Sequence, residues 1–357
     1  MPASESIRPV RAEGPSVWTA RDLERDRSWL VELSPAQADE IARAAASLPE
    51  GGDVLREDAP AWPQAPDWLG PLLERVRAEL GRRGVVLLRG LPVTRLSRAQ
   101  AGRLFRAIGE RMGTALTQNT ARELLSPVTD DGARFGYDTG AAQRARGYRS
   151  SAQLNMHADP TDVVALMCLR QARSGGLSSI VSAGAVHNAL LDASPAHLPV
   201  LYRGFRYDRK GEEGPGEAPV TGPIPVFERR GARLDCRYAR SYIAGAADRL
   251  GLPLTPDERA ALDAFDAAAR RDDLAALMDF EPGDVQWLDN LAVLHGRTAF
   301  EDGPDPAERR YLYRLWLQMG DHAPWQGASD AMRWAYARFG ALGRTAREAG
   351  APPAPPH

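Results

Sequence analysis

The chain contains very little cysteine and almost no lysine. Its 357 residues include two cysteines, Cys168 and Cys236, which are too few for a disulfide framework and form neither a zinc-finger pattern nor a CxxC pair. Lys210 is the only lysine, so arginine supplies nearly all of the positive charge. We expect a reducing, cytoplasmic setting, and we attribute the arginine bias to a GC-rich genome rather than to a function.

Long apolar runs and a large net charge are also missing. The first residues, MPASESIRPVRAEGPS, lack the apolar core of a signal peptide, and no stretch approaches the roughly 20 apolar residues that cross a membrane. The formal net charge is −2 and the isoelectric point is near 6.3. Such a charge gives no broad attraction to nucleic acid or to an anionic membrane. We therefore expect a small-molecule substrate and neither nucleic acid nor membrane as a partner, while the oligomeric state stays open.

The chain is long enough for one large domain or two small ones, and we interpret it as one. Residues 16–349 form this domain in our prediction, and residues 1–15 and 350–357 are predicted to be disordered. The sequence has no GxSxG elbow and no strand-GxGxxG-helix unit. These absences argue against a serine hydrolase and against dinucleotide binding.

Hydrophobic periodicity and capping residues predict a mixture of helices and strands. Ser34 and Pro35 mark the start of the first helix, because serine accepts a hydrogen bond from the first turn and proline fits there. Helices are predicted at 35–48, 68–82, 97–111, 183–192, 256–270 and 328–348, and strands at 84–90, 161–169, 177–183, 224–229, 233–236, 284–289 and 310–319. Residues 115–155 show little periodicity and are predicted to form a lid or a substrate-binding loop.

The most informative pattern is a His-x-Asp pair that is followed much later by another histidine. Successive side chains of a strand point to opposite faces, so His157 and Asp159 would project together while Ala158 faces away. With His295 they would supply two imidazoles and one carboxylate, the ligand set of non-haem Fe(II) oxygenases. An isolated His-x-Asp pair is more often a surface pair in a loop, and the same ligands also form catalytic zinc sites. His187 and His197 are expected to be packing or surface residues, and His322 and His357 are not expected to be metal ligands.

A second pattern places two arginines on one strand face. Strand alternation in the segment AERRYLYRLWLQM, residues 307–319, puts aromatic and aliphatic side chains on one face and Arg310, Leu312 and Arg314 on the other. Unpaired guanidinium groups are costly to bury, so these two are either solvated or bind an anion. Arginine matches the two oxygens of a carboxylate, which favours the anion.

These patterns occur together with a specific family resemblance. It rests on four segments in this order: HADPTDVVALMCL, SGGLSSIVSAGAVHNALL, PGDVQWLDNLAVLHGR and ERRYLYRLWL. They resemble the taurine dioxygenase (TauD/TfdA) and clavaminate synthase-like superfamily of Fe(II)/2-oxoglutarate oxygenases. The likeness runs from about Gly84 to Gln318, which is most of the chain.

The resemblance implies an α+β, mainly β fold with a double-stranded β-helix (jelly-roll or cupin-like) core and flanking helices. It also implies Fe(II) held by His157, Asp159 and His295, with 2-oxoglutarate and O2 as co-substrates. The segment ERRYLYR matches the family's RRxxxR pattern. This match implies that Arg310 binds 2-oxoglutarate and that Arg314 lines the same pocket.

The chain departs from the family at one co-substrate contact. The family often uses a threonine shortly after a Gly-Gly turn to bond the co-substrate carboxylate, and here the segment GGLS offers Ser178. A serine hydroxyl can make the same bond. The spacing from His157 is shorter than the family pattern, so Ser182 is a competitor, and a plain turn serine is an equal alternative.

Substrate contacts are predicted in the irregular segment before the His-x-Asp pair. Gln118, Tyr148 and Arg149 lie there. Arg144 and Arg146 in the same segment hint at an anionic group, but arginine is abundant throughout the chain, which weakens the hint.

The reaction that the resemblance implies is oxidation of a C–H bond, most simply hydroxylation. The expected substrate is a small metabolite such as an amino acid derivative or an intermediate of secondary metabolism. Halogenating relatives lack the carboxylate ligand, so Asp159 argues against halogenation, whereas desaturation and ring closure stay open. Two other classes are a non-catalytic β-barrel ligand-binding protein, against which the intact ligand set counts, and a zinc hydrolase, against which the two arginines count.

Overall fold

The computed structural model describes residues 9–119, 121–133, 147–211, 213, 216, 218–320 and 322–326. These residues contain eight α-helices: α1 (Ala20–Arg25), α2 (Pro35–Ala45), α3 (Leu69–Arg83), α4 (Arg98–Met112), α5 (Ala183–Ala193), α6 (Leu198–Arg203), α7 (Arg240–Leu250) and α8 (Pro256–Ala269). None of the helices in these ranges is long and apolar enough to span a membrane.

Fifteen strands lie in the same ranges. They are β1 (Leu30–Glu32), β2 (Val85–Arg89), β3 (Thr114–Ala115), β4 (Leu125–Val128), β5 (Leu154–His157), β6 (Val163–Arg170), β7 (Ser174–Gly175), β8 (Ser178–Ser182), β9 (Phe227–Arg230), β10 (Arg233–Cys236), β11 (Ala276–Met278), β12 (Val285–Asp289), β13 (Val293–Arg297), β14 (Phe300–Glu301) and β15 (Tyr311–Gln318).

Two sheets form the core of the fold. The larger has seven strands in the order β1-β2-β12-β6-β15-β3, with β4 also paired with β15, and the smaller has the order β11-β8-β13-β5. Side chains of both sheets meet in one buried cluster, which includes Val164 and Leu288 from the larger sheet and Ile180 and Val293 from the smaller. Strands β9 and β10 form a separate hairpin, and β7 pairs with β14, which is far from it in sequence.

Strand alternation decides what each face of the larger sheet contacts. Along β15, Tyr313 and Leu315 pack in the cluster formed with α2, α3 and α4, whereas Leu312 and Trp316 pack in the cluster between the sheets. The predicted two-faced character of this strand is therefore confirmed. Its inward face is the one that carries Arg310 and Arg314, and this brings both arginines to the cavity between the sheets.

A third apolar cluster covers the smaller sheet. Val181 of β8 and Leu294 of β13 pack there with residues of α5, α6 and α8. Ser182 begins α5 by accepting a hydrogen bond from the Ala185 N–H. The smaller sheet is thereby held between these helices and the larger sheet.

Most of the predicted elements are present with shifted ends. Ser34 caps the start of α2 as predicted, and Gln37 completes a capping box that was not predicted. The helix ends at Ala45 rather than at residue 48. Residues 115–155 were predicted to be irregular, yet they contain β4, the last residue of β3 and the first two residues of β5. The prediction also missed α6, which has only six residues, and α7, whose N-cap residue Ala239 makes no side-chain capping bond.

Two predicted segments lie outside the described residues, namely the helix at 328–348 and the tail at 350–357. Of the N-terminal segment predicted to be disordered, residues 9–15 are described. Ala12 in this segment is buried, and its N–H donates to the side-chain oxygen of Asn188 at 2.7 Å.

Candidate active site

The two histidines of the predicted metal site lie on neighbouring strands of the smaller sheet. His157 ends β5 and His295 is in β13, and the two residues are directly paired in the strand register. Their ring centroids are 4.4 Å apart. β5 approaches closely because residue 296 is glycine, since a Cβ there would lie 2.6 Å from the Leu154 carbonyl oxygen.

Asp159 reaches the same point from just beyond the strand. We expected His157 and Asp159 to share a strand face, but β5 ends at His157, so that explanation is wrong. The chain turns instead, and the Ala158 N–H donates to the Tyr238 carbonyl at 2.8 Å. The side chains of His157, Asp159 and His295 nevertheless meet, each offering a ligand atom within 4.8 Å of the others.

The donor atoms are oriented for one shared ion. His157 Nδ1 lies 2.9 Å from the Asn155 carbonyl oxygen, an acceptor, so Nδ1 carries the hydrogen and Nε2 keeps its lone pair. Nε2 of His157 is 3.9 Å from Oδ1 of Asp159, and Nε2 of His295 is 3.8 Å from Oδ2. One metal ion about 2.1 Å from each donor spans separations of this size.

The local charges hold Asp159 in its ionised form. Burial alone would raise its pKa, but Arg314, His295 and His157 outweigh burial and lower the pKa to about 2. Oδ2 accepts hydrogen bonds from Trp316 Nε1 at 2.8 Å and from Arg314 Nη1 at 3.2 Å. At neutral pH this residue is therefore a carboxylate.

His295 is held in its neutral form. Burial and the neighbouring His157 lower its pKa to about 3, although Asp159 acts in the opposite direction. A neutral imidazole is the form that binds a metal, so the site needs no proton release from this histidine at neutral pH.

Arg314 is fixed on both sides. Its Nε donates to Gln118 Oε1 at 2.8 Å, and its guanidinium carbon lies 4.6 Å from the Tyr148 ring centroid and 4.8 Å from that of Trp316. Gln118 in turn donates from Nε2 to the Arg314 carbonyl at 2.9 Å. Gln118 thus lies behind Arg314 and is not among the described residues that line the cavity.

Arg310 is in a different situation from Arg314. It precedes β15, is only 4% exposed, and among the described residues its Nη1 has no hydrogen-bond partner. Burial lowers its pKa to about 10, even though Cys168 and Asp302 act in the opposite direction. A buried guanidinium with an unused N–H group is suited to receive a carboxylate.

The structure separates the two candidate serines. Ser178 lines the cavity with Arg310, and its hydroxyl lies 3.1 Å from Gln286 Oε1, to which it donates. Ser182 instead donates to the Ser16 carbonyl at 2.6 Å and caps α5. Its hydroxyl is therefore committed to the fold.

An open cavity of about 1050 Å³ contains the three metal-site residues together with Arg310, Arg314 and Ser178. Tyr148 also lines it. Arg149 does not; its side chain is 55% exposed and forms a 2.5 Å ion pair with Asp131 beside a second, outer cavity.

Sequence reasoning missed six polar residues of the described cavity wall: Asn155, Lys210, Arg240, Ser241, Tyr242 and Arg297. Arg297 could have been found, because it follows His295 by two residues on the same strand and so points to the same side. Its Nη2 donates to the carbonyl oxygens of Ser150 and Ala152, which ties that segment to the site. Lys210 was notable only as the single lysine.

Comparison with known proteins places this site in a family. The model of the family "Taurine catabolism dioxygenase TauD, TfdA family" matches residues 59–316. FR-33289 synthase of Streptomyces rubellomurinus is 30% identical over 329 residues, which cover 90% of this chain and 94% of that protein. A taurine hydroxylase-like protein, SAT17 of Stachybotrys chartarum, is 27% identical over 87% of this chain and 80% of its own length.

Solved structures agree on the fold. An asparagine oxygenase in complex with Fe(II), hydroxyasparagine and succinate superposes with a TM-score of 0.61 at 20% identity, covering 82% of this chain and 94% of that one. The non-haem iron oxygenase OrfP with Fe and α-ketoglutaric acid gives a TM-score of 0.56 at 17% identity, with coverages of 82% and 94%. The predictions of the fold class and of a dioxygenase are confirmed. The chain belongs to the TauD/TfdA family of dioxygenases.

Proposed function

We propose that this chain is an Fe(II)- and 2-oxoglutarate-dependent oxygenase that hydroxylates a C–H bond of a small metabolite. One observation carries the proposal. The ligand atoms of His157, Asp159 and His295 converge within 4.8 Å, and the same cavity is lined by the buried Arg310, whose Nη1 has no hydrogen-bond partner among the described residues. A three-ligand metal site beside a carboxylate-binding cation is what a chelating 2-oxo acid requires.

We assign the metal to His157, Asp159 and His295. Two neutral imidazoles and one carboxylate suit Fe(II) and leave coordination positions for co-substrate and O2. Arg314 and Trp316 bond to Oδ2 of Asp159 and so fix the direction of this carboxylate. Outer contacts of this kind orient metal ligands and tune their basicity.

We assign 2-oxoglutarate to the part of the cavity lined by Arg310 and Ser178. Arg310 would pair with the distal carboxylate. Ser178 would add a hydrogen bond by turning its hydroxyl from Gln286 Oε1, its present acceptor, to the carboxylate. When bound, iron and 2-oxoglutarate together activate O2 and supply the oxidising power, with succinate and carbon dioxide as by-products. The protein residues hold the reactants in place and shield the reaction from water.

The names of the relatives support a small-molecule substrate. They include a synthase, a taurine hydroxylase-like protein and an asparagine oxygenase. For the cellular setting we propose the cytoplasm, because Cys168 and Cys236 are both free, buried thiols.

Zinc hydrolysis fits less well than oxidation. The same three ligands could hold zinc. A hydrolase, however, has no evident use for a buried guanidinium in the same cavity whose Nη1 has no hydrogen-bond partner among the described residues. Desaturation and ring closure use the same residues and differ only in the product.

The test is an oxygen-dependent assay of the iron-loaded protein. Reconstitute it anaerobically with Fe(II), add 2-oxoglutarate and a metabolite extract, admit 18O-labelled O2, and measure succinate and mass gains. We expect one succinate for each product molecule and one labelled oxygen in the product. Asp159→Ala serves as the matched control and should form neither.

Each contrary result has a distinct meaning. A product that loses hydrogen without gaining oxygen replaces hydroxylation by desaturation or cyclisation. If no succinate forms at any iron concentration, with or without extract, the protein is not an oxygenase of this kind.

A further inference from the structure

A short pair of strands lies beside Arg310. Strand β14 pairs with β7, and Phe300 of β14 is directly opposite Gly175. Phe300 is 6% exposed, and its N–H donates to the Ser151 carbonyl at 3.1 Å. Phe300 is not among the described residues that line the cavity, so its ring lies behind the wall. It can therefore act on a bound molecule only through the residues in front of it.

The ring of Phe300 contacts two of the arginines that line the cavity. Its centroid lies 5.2 Å from the guanidinium carbon of Arg310 and 4.6 Å from that of Arg297. Both distances are typical of a cation–π interaction, in which the negative face of the ring attracts a positive charge. This attraction is stronger at a buried ring than at an exposed one, because little water competes for the cation. Phe300 therefore holds both guanidinium groups by their charge.

Gly176 makes room for this arrangement. It directly follows β7, and its φ of 73° lies in the left-handed region. A Cβ at this position would lie 3.0 Å from Nε of Arg310 and 3.3 Å from Cβ of Phe300. Contacts of that length require a neighbouring side chain to shift. A glycine lets the guanidinium and the ring keep their positions.

A nearby carboxylate competes for the guanidinium of Arg310. Oδ1 of Asp302 accepts a hydrogen bond from the Arg310 backbone N–H at 2.8 Å. Oδ2 of Asp302 and Nη1 of Arg310 are both buried, and neither has a hydrogen-bond partner among the described residues. If the guanidinium turned to this oxygen, it would form a charge-assisted bond and no longer be available to 2-oxoglutarate. An aromatic ring attracts the same cation without being an ordinary hydrogen-bond acceptor, so Nη1 stays available.

We propose that Phe300 is a positioning residue for the co-substrate. Its ring holds the guanidinium of Arg310 toward the cavity and away from Asp302, in the direction that receives the distal carboxylate of 2-oxoglutarate. The effect comes from the charge distribution of the ring and not only from its volume. This inference rests on the proposed oxygenase function, and it adds a residue that acts through Arg310 and does not itself touch 2-oxoglutarate.

The experiment changes the charge distribution of the ring at nearly constant volume. In the full chain, Phe300 is replaced by mono-, di- and pentafluorinated phenylalanine, which are introduced through a reassigned stop codon. Fluorine withdraws electrons from the ring face and so weakens its attraction for a cation. The Kd for 2-oxoglutarate is measured by calorimetry on the Fe(II)-loaded protein under anaerobic conditions, where no turnover occurs. Phe300→Tyr, Phe300→Leu and the double variant Phe300→Leu with Asp302→Asn are measured in the same way.

Phe105 provides the matched control. Its ring is also buried, but it packs edge-on against Trp287 at 6.1 Å in the cluster formed with α2, α3 and α4. Phe105→Leu and the pentafluorinated variant at position 105 should change the Tm and leave the Kd for 2-oxoglutarate unchanged. A general effect of altered packing is thereby separated from an effect on Arg310.

We expect the Kd for 2-oxoglutarate to rise with each added degree of fluorination at position 300. Phe300→Leu should raise it roughly 3- to 10-fold, because the binding-competent orientation of Arg310 is then only a fraction of the population. Phe300→Tyr should keep most of the wild-type affinity, since it keeps the ring. Asp302→Asn should restore part of the affinity of Phe300→Leu, because it removes the competing charge and keeps an acceptor for the Arg310 backbone N–H.

Three outcomes overturn the inference. They are a Kd that does not change with fluorination, an equal rise in Kd in the Phe105 variants, and no recovery in the double variant. The wild type distinguishes the two levels of the argument. If it binds 2-oxoglutarate, any of these outcomes removes only the role of Phe300; if it does not bind 2-oxoglutarate, the proposed function fails as well.

Discussion

Replacing Arg310 with methionine should have opposite effects on the free enzyme and on its complex with 2-oxoglutarate. Burial lowers the pKa of Arg310 from 12.5 to about 10, so the folded state disfavours this charge by about 3 kcal/mol. Methionine keeps an apolar stem and removes the charge. We therefore expect the free variant to be more stable than the wild type, by on the order of 1–3 kcal/mol after some loss of packing.

The effect should reverse when co-substrate is present. Loss of a charge-assisted, bidentate contact should weaken 2-oxoglutarate binding by roughly 2–5 kcal/mol. Ligand at a hundredfold excess over its Kd stabilises the wild type by about 2.7 kcal/mol and would stabilise the variant far less. As 2-oxoglutarate is added, the free energy of unfolding of the wild type should therefore approach or exceed that of the variant.

The assay is denaturant unfolding under anaerobic conditions, with and without Fe(II) and 2-oxoglutarate. Arg103→Met is the control, because Arg103 is 4% exposed but bonds to Pro49, Gly51 and Glu57, away from the cavity. It should destabilise the free and the bound protein alike. Our reasoning is refuted if Arg310→Met destabilises the free protein as Arg103→Met does and still binds 2-oxoglutarate normally.

Three further predictions concern the same site. His157→Ala and His295→Ala should lose most of the iron that the wild type retains after anaerobic reconstitution and desalting. If either variant binds nearly one iron ion per chain with wild-type affinity, that histidine is not a metal ligand. Ser178→Ala should raise the KM for 2-oxoglutarate up to about tenfold. Ser182→Ala should leave that KM unchanged and lower the free energy of unfolding by about 0.5–2 kcal/mol, because it removes a helix cap. The reverse pattern would make Ser182 the residue that contacts 2-oxoglutarate. Gln118→Leu should lower the free energy of unfolding by about 1–3 kcal/mol, measured by thermal unfolding, because it leaves the buried Nε–H of Arg314 without its acceptor. An unchanged stability would show that Gln118 does not position Arg314.

The sequence was sufficient to predict the strands with strong alternation of apolar and polar residues and to identify the metal-site residues. On β15 the alternation predicted which side chains face inward, because burial on two different faces imposes a period of two. His157, Asp159 and His295 were identified by chemical type and family resemblance, and they meet in space although the strand argument for Asp159 was wrong. A turn brought Asp159 to the site, and turns of this kind have no periodicity from which to predict them.

Apart from Arg297, the wall residues that the sequence analysis missed could not be predicted, because their position depends on contacts between distant segments. Gln118 lies within the predicted substrate segment, yet the pairing of β15 with β3 and β4 places it behind Arg314. Lys210 and Tyr242 come from a loop and a helix start that lack a strong local pattern. Their position on the wall follows from tertiary packing, which single-residue preferences do not encode.

The pairing of β5 with β13 also determines when the iron site can come into existence. His157 and Asp159 leave the ribosome long before His295, and β13 must then insert between β5 and β8. Such a step is slow, because closing the long loop between two segments far apart in sequence costs conformational entropy before their contacts form. A nascent chain therefore presents an incomplete ligand set, and all three metal ligands come together only after β13 has paired with β5.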